Sequence, residues 1–365
     1  MSEDQLEKEI ELYREIAGKM VPYFRENARK LPWRSSTPDP YRVWLSEIML
    51  QQTRIEAVKG YYERFLAALP TVEDLAACPD ELLMKLWEGL GYYSRARNLK
   101  KAALIIAEKG FPHTAKELAA LPGIGPYTSG AIASIAFGEK APAVDGNVIR
   151  VLSRLCGRTL SREDAEALLL AWFPEEGAGE FTQSWMELGE TLCTPGGGVK
   201  CMLCPLQSCC TACRENTAHL LPLLPAKKAR KREDWTFFFW EWDGKIAVRK
   251  RPGKGVLASM WEFPSHKGFF TETLLEEYGR KNQFSLLENP EFLGEGKHVF
   301  THIEWNMQFW HLAFEAPPLL PELFWATAEE LEKEIPLASA FHPLREKILL
   351  SREKKKKTRG KKRKV

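Results

Sequence analysis

Leu121-Pro122-Gly123-Ile124-Gly125-Pro126-Tyr127-Thr128-Ser129-Gly130 is the stretch that decides how this chain is read. Two glycines one residue apart separate a short helical segment from a longer one. In such a turn the glycine N–H groups can face outward at a helix N-terminus, where an anion is favoured. The same glycines also suit a tight helix–helix turn that needs positive φ and nothing more. Outward from the turn the chain stays helical. Leu6, Ile10, Tyr13, Ile16 and Met20 keep helical spacing over residues 1–29, behind a Ser2/Gln5 pair spaced as a capping box. Between Tyr41 and Arg162, Pro79, Gly89 to Gly91 and Gly110 punctuate a string of short helices. No alternating strand pattern precedes residue 217, which predicts an all-α first domain over 1–217.

Two carboxylates stand out around the turn. Asp145 lies downstream in Ala143-Val144-Asp145-Gly146-Asn147-Val148, and an aspartate before a helix ordinarily caps it. Glu47 lies upstream in Trp44-Leu45-Ser46-Glu47-Ile48-Met49-Leu50-Gln51-Gln52-Thr53. Its four-residue spacing to Gln51 puts both on one helix face, ordinarily a solvated one.

Composition bounds what these residues can belong to. At 365 residues, 44% hydrophobic and 28% charged, the chain has material for two packed domains of about 150 residues each. No apolar run approaches the roughly 20 residues that span a bilayer, and the charged first 20 residues lack a signal-peptide core. A membrane or secreted protein is disfavoured, and a cytoplasmic one expected. The net charge of +3 hides an asymmetry: residues 352–365 hold ten Lys or Arg against one Glu, which leaves −6 on the rest. Six of the eight cysteines fall between Cys193 and Cys213. In a long chain without a signal sequence this cluster reads as metal binding rather than as a disulfide framework. The spacing Cys193-x7-Cys201-x2-Cys204-x5-Cys210 suits four thiolates on a [4Fe–4S] cluster. A zinc site is the competing reading, but it more often shows two C-x2-C pairs, and only Cys201–Cys204 is counted here. Cys209 is the alternative to Cys210 as fourth ligand.

The string Leu121–Thr128 resembles the helix-hairpin-helix element that holds a DNA phosphate through main-chain amides, a contact that positions the duplex without reading sequence. Trp33-Arg34, Ser46–Thr53, Gly89–Arg95, the hairpin, Val144–Val148 and the cysteine cluster together resemble, in the same order, the MutY-type adenine DNA glycosylases. The resemblance covers residues 28–213 and, more weakly, 235–310. It implies that Glu47 protonates N7 of adenine and later assists water, while Asp145 is the anion beside an oxocarbenium-like sugar. Tyr127 and Asn147 would support this pair. Glu187, in Met186-Glu187-Leu188-Gly189, would lie near the adenine, and Tyr92 with Gln51 would wedge beside 8-oxoguanine. Trp33, Arg34, Leu50, Gln52, Thr53, Gly123 and Gly125 complete the implied DNA contacts. The family's cysteine pattern is C-x6-C-x2-C-x5-C; this chain has one extra residue, in the Gly196-Gly197-Gly198 stretch. Relatives that also cut the DNA backbone carry a Schiff-base lysine where Tyr127 stands, so a monofunctional enzyme is expected.

Past residue 217 the texture changes. Residues 218–234 mix Leu-Pro repeats with Lys227, Lys228, Arg230, Lys231 and Arg232, as a linker would. Asp243-Gly244 between Trp235–Trp242 and Lys245–Lys250 predicts a hairpin, and Ile303, Trp305, Met307 and Phe309 alternate with polar residues as in a half-buried strand. Residues 235–348 are therefore a smaller α+β domain, which resembles the Nudix-like C-terminal domain of these glycosylases. Glu276, Glu277 and Gly279 fit the end of a Nudix box. Glu272, Thr273 and Pro264 occupy places where hydrolysis needs Arg and Glu, so diphosphate hydrolysis is not expected. Phe300-Thr301-His302 matches a Phe-Ser-His loop that contacts 8-oxoguanine, with Thr301 keeping the hydroxyl; ordinary strand residues are the plain reading. The basic tail, 349–365, is either a solvated terminus or a source of nonspecific phosphate attraction.

The expectation is a multidomain, monofunctional adenine DNA glycosylase with one [4Fe–4S] cluster. It would act as a monomer on duplexes containing A:8-oxoG or A:G mispairs. An endonuclease III-type glycosylase/lyase is the alternative, and a Nudix-type hydrolase a weaker one.

Overall fold

The computed structural model describes residues 3–223 and 229–348. Ser2 of the expected capping box, linker residues 224–228 and the basic tail 349–365 lie outside the described residues, as do the side chains of Leu6, Ile10 and Tyr13. The described residues form two compact units, 3–78 with 94–223, and 79–93 with 229–348. No described helix is long and apolar enough to cross a membrane.

In chain order the helices begin with α1 (Glu3–Asn27), α2 (Pro40–Leu50), α3 (Ile55–Ala68), α4 (Val72–Ala77), α5 (Asp80–Leu86) and α6 (Ser94–Lys109). There follow α7 (Ala115–Leu118), α8 (Pro126–Phe137), α9 (Gly146–Cys156), α10 (Arg162–Trp172), α11 (Ala178–Thr191) and α12 (Thr211–Arg214). All but α5 belong to the first unit, which has no strand among its described residues. Reciprocal capping boxes start α4 (Thr71/Asp74), α7 (Thr114/Glu117) and α10 (Ser161/Asp164), each satisfying two otherwise orphaned N–H groups. The stripe read on the first helix is real where its side chains are described. Ile16 and Met20 are fully buried in one core with Val148, Leu152, Phe181 and Trp185.

α8 differs from its neighbours because it is buried all round from Thr128 to Ser134. Gly130 permits this. A Cβ there would meet the Pro142 carbonyl oxygen at 2.0 Å, so the backbone leading to Asp145 runs directly against α8. Gly130→Ala is expected to destabilise the unit by about 1–3 kcal/mol through overpacking. A urea midpoint unchanged from wild type would show that the two backbones can part without cost.

The second unit is a seven-stranded mixed sheet. Its strands are β1 (Lys231–Trp242), β2 (Lys245–Lys250), β3 (Trp261–Glu262), β4 (Ser265–Lys267), β5 (Glu291–Val299), β6 (Ile303–Ala313) and β7 (Leu323–Ala326). The order is β3-β2-β1-β6-β5, with β4 also on β1 and β7 also on β2. Among the described residues α5, α13 (Glu272–Lys281), α14 (Ala328–Lys333) and a helical stretch over 342–348 accompany it. The expected hairpin forms: Trp242 faces Lys245 across Asp243 and Gly244, both left-handed at φ 44° and 71°, as a type I′ turn requires. Phe237 to Trp240 are buried on both faces of the sheet. Phe237 packs on Trp305 and Phe341, whereas Phe238 packs on Phe270 and Tyr278.

Two boundaries differ from the sequence reading. Residues 231–234, read as linker, are strand, because β1 pairs in parallel with β6 from Lys231↔Ile303 onward. Backbone pairing carries the strand beyond its apolar run, and side-chain patterning does not report that. Residues 79–93, read within the helical domain, group with the second unit. Glu88 pairs with Arg345 at 3.2 Å and Lys250 with Glu81 at 3.7 Å. Such ion pairs join residues more than 150 positions apart and leave no periodic trace.

Candidate active site

The first unit contains an open cavity of about 850 Å³. Glu47, Tyr127, Asp145 and Asn147 all line it, as do Trp33, Arg34, Leu50, Gln52, Thr53 and Glu187. Gln51, Gly123, Gly125 and Tyr92 do not.

Glu47 comes from α2, which Asp39 caps by accepting from Arg42 N at 2.9 Å with Pro40 in its first turn. The helix stops at Leu50. The buried Arg95 guanidinium donates to the carbonyls of Ile48, Met49 and Gln51 at 2.8, 3.0 and 2.6 Å and so takes the place of further helical turns. Gln51 therefore does not share the helix face of Glu47. Its Nε2 donates to Thr128 Oγ1 at 3.1 Å, and Gln52, which lines the cavity, is left-handed at φ 55°. Glu47 itself is only 7% exposed. Burial pushes its carboxyl up to about 7, against a lowering hydrogen bond from Tyr127, while the Asp145 charge adds to the rise and Arg34 opposes it.

Asp145 caps α9, so the ordinary reading and the functional one hold together. Its Oδ1 accepts from Val148 N at 2.8 Å and its Oδ2 from Asn147 Nδ2 at 3.0 Å. Arg150 fixes Asn147 by donating to its Oδ1 at 2.9 Å, and the same guanidinium holds the carbonyls of Gly189 and Cys193. Burial and the charges of Glu47 and Asp145 raise the Tyr127 hydroxyl well above its ordinary value, so it keeps its proton, and it donates to Met186 Sδ at 3.8 Å. Glu187 closes another wall with no side-chain exposure. Burial pushes its carboxyl up, but hydrogen bonds from Arg29 and Arg34 (2.6 and 2.7 Å) outweigh this and hold it below the usual carboxylate value. The cavity thus combines a proton-holding carboxyl, a second carboxylate and a donor hydroxyl, the parts for acid-assisted cleavage through a cationic transition state.

At the hairpin, Ile124 is buried whereas Gly123 and Gly125 are exposed on either side of it. Gly123 has φ 80° and its missing Cβ would sit 2.7 Å from Asn98 Cβ, so both conformation and space require glycine. Gly125 is the N-cap of α8.

A small second cavity is lined by Cys193, Cys201, Cys204 and Cys210. Cys209 is not among its lining residues; its thiol donates to Leu206 O at 3.4 Å. Arg154, 2% exposed, donates to Cys193 Sγ at 3.3 Å and to the carbonyls of Cys193 and Thr194. Cys213 lines the cavity too. The sequence held its signal, since Cys210-Thr211-Ala212-Cys213 is a second C-x2-C pair that the count above passed over. Arg29, Arg150 and Arg154 were missed for a different reason: each acts through contacts to carbonyls or side chains far along the chain, with no local motif.

Comparison with known proteins bears on this site. A family model described as HhH-GPD superfamily base excision DNA repair protein matches residues 45–175, and a NUDIX domain model matches 236–347. The adenine DNA glycosylase of Homo sapiens is 33% identical over 396 residues, covering 87% of this chain and 72% of that protein. That of Arabidopsis thaliana is 35% identical, covering 78% of this chain and 55% of the relative. A thermostable thymine-DNA glycosylase of solved structure aligns at TM-score 0.51 and 27% identity, over 56% of this chain and 97% of its own. The chain belongs to the adenine DNA glycosylase family. It is accordingly a hydrolytic DNA N-glycosylase with a helix-hairpin-helix unit and a Nudix-like unit.

For a member of this family the loop 300–302 is of interest. It is the tight connection between β5 and β6, closed by Phe300 N donating to Ile303 O at 2.8 Å. Thr301 is exposed, and its Oγ1 lies 2.9 Å from the hydroxyl of Tyr92, itself 45% exposed. Both belong to the second unit. Glu276 and Glu277 are exposed on α13, and no three His, Cys, Asp or Glu side chains among the described residues converge tightly enough for a single metal ion.

Proposed function

We propose that this glycosylase is monofunctional and excises adenine paired with 8-oxoguanine or guanine, acting as a monomer on duplex DNA in the cytoplasm. The observation that carries the reading is Glu47: a buried carboxyl that holds its proton near neutral pH, in one cavity with Asp145. Adenine must first leave the stack, at a cost of a few kcal/mol. Glu47 then gives its proton to N7, the glycosidic electron pair leaves with the base, and the Asp145 carboxylate faces the cationic sugar. Water adds to the sugar and its proton returns to Glu47. Tyr127, having no amine, cannot form the Schiff base of a lyase. The alkaline limb of the pH–rate profile should therefore fall above about 7, as Glu47 loses its proton. A single-turnover rate flat from pH 6 to 9 would remove Glu47 as the acid.

Cys193, Cys201, Cys204 and Cys210 would hold a [4Fe–4S] cluster. Their sulfurs ring a cavity instead of meeting at a point, and a buried cation, Arg154, faces them, which suits an anionic multi-iron group better than one zinc ion. When bound, the cluster supplies a structural cross-link of the loop that follows α11.

Reading of the lesion is assigned to Thr301 and His302, with Tyr92 beside them. A site that hydrogen-bonds a group rejects the analogue lacking it. Thr301→Ala with His302→Ala should cut the preference for A:8-oxoG over A:G by about fivefold to thirtyfold, at about 1 kcal/mol per lost bond. Labelled duplexes with A:8-oxoG, A:G or thymine glycol test the whole reading. The adenine strand should break only after alkali. Breakage without alkali, or cleavage at thymine glycol, would favour the lyase alternative.

A further inference from the structure

Glu190 lines the active-site cavity from the next-to-last position of α11, where local energetics argue against it. An anion in the last turn opposes the helix dipole, and that turn of α11 holds no basic residue. Glu187 stands three residues earlier on the same face, so the two carboxylates also repel each other. Local rules of this kind are broken chiefly at functional sites. The exposed Glu190 carboxylate accepts from Asn147 Nδ2 at 3.3 Å. The same nitrogen donates to Asp145 Oδ2 at 3.0 Å, and Asn147 Oδ1 accepts from Arg150 at 2.9 Å. A primary amide has two N–H bonds to give, and Glu190 takes the one that Asp145 leaves over. With a guanidinium on its oxygen and a carboxylate on each N–H, the amide has one orientation open to it.

We propose that Glu190 is a positioning residue for excision: it holds the Asn147 amide so that the other N–H stays on the Asp145 carboxylate. The proposal rests on the reading of Asp145 as the anion beside the cationic sugar. Glu190 acts through Asn147 and touches no reacting atom. What it supplies is an acceptor oxygen at the right reach, since water screens the charge of an exposed carboxylate. Asp145 is thereby fixed from two sides, by Val148 N on Oδ1 and by an amide on Oδ2 that cannot turn over.

The test is single-turnover excision from an A:8-oxoG duplex by the purified full chain, with thermal unfolding measured alongside. Glu190→Gln keeps an oxygen at the same reach without the charge, whereas Glu190→Asp keeps the charge one methylene short. Glu190→Ala and Glu190→Asp should excise about threefold to tenfold more slowly, the range for one net hydrogen bond. Glu190→Gln should recover most of that rate. In an Asn147→Ala background Glu190→Ala should slow excision no further, because its effect passes through that amide. Glu190→Ala should also unfold no earlier than wild type, since it relieves the repulsion at the end of α11. Wild-type rates in both Ala and Asp variants, or a Gln variant as slow as Ala, would overturn the proposal. So would a further loss on top of Asn147→Ala, or an Ala variant whose lowered unfolding temperature makes the role one of packing. Should Glu190→Ala not fold, the contrast between Gln and Asp decides alone. If Asp145→Asn keeps near wild-type excision, the reading of Asp145 fails and takes the proposal with it, an outcome distinct from failure at Glu190.

Discussion

Glu47→Gln will lower single-turnover adenine excision by about 10²–10⁴-fold, the usual contribution of a positioned general acid. Asp145→Asn will lower it by about 10²–10³-fold, the usual cost of losing charge stabilisation in the transition state. Neither change should disturb the fold. Glutamine matches the volume of Glu47, and asparagine caps a helix as well as aspartate does, so Val148 N keeps its acceptor. Duplex binding should therefore survive in both. Glu47→Gln carries a second consequence with a definite sign. The folded-state value near 7 lies above the ordinary 4.5, so the stability this group contributes is present below the unfolded value and lost as pH rises through 7. At pH 8 the buried anion costs roughly 3 kcal/mol, which a neutral glutamine avoids. The variant should thus unfold at a higher temperature than wild type at pH 8, with the gap closing toward pH 4.5. Near wild-type excision by either variant, or a Glu47→Gln protein less stable than wild type at pH 8, would end the assignment.

Glu187→Ala should cost about 3 kcal/mol in folding stability, because it leaves Arg29 and Arg34 without their shared carboxylate. Arg29 is about a third exposed and water will recover part of its loss, so the lower end of the range for broken buried pairs applies. The Glu187 carboxyl is held below its ordinary value, hence its stabilisation is present at neutral pH and disappears as pH falls through the folded value. Urea unfolding at pH 7 and pH 3 separates the cases. A wide gap between wild type and variant at pH 7 that narrows at pH 3 is expected, and an equal gap at both would make the loss one of packing. Trp33 and Arg34 line the cavity beside Glu187, so loosening them should also raise KM for the DNA substrate.

The local sequence determined much about this protein. The Pro-Gly-Ile-Gly-Pro turn, the Asp-Gly hairpin and the alternation from Ile303 to Phe309 each report a backbone state set by neighbouring residues. The order of Glu47, the hairpin and Asp145 along the chain carried the family. Tertiary structure decided what depends on residues far apart. Asp145 alone is a helix cap and Glu47 alone a surface-type glutamate. Only packing makes them a pair, when Gly130 lets the backbone before Asp145 run against α8 and burial raises the Glu47 carboxyl. The end of α2 at Leu50 is written in Arg95, 45 residues further on, and the state of Glu187 in Arg29 and Arg34. Cys209 and Cys210 are adjacent in sequence, and only the fold turns one toward the cavity and the other away. Desolvation and convergence are properties of a packed volume, and no window of sequence contains that volume.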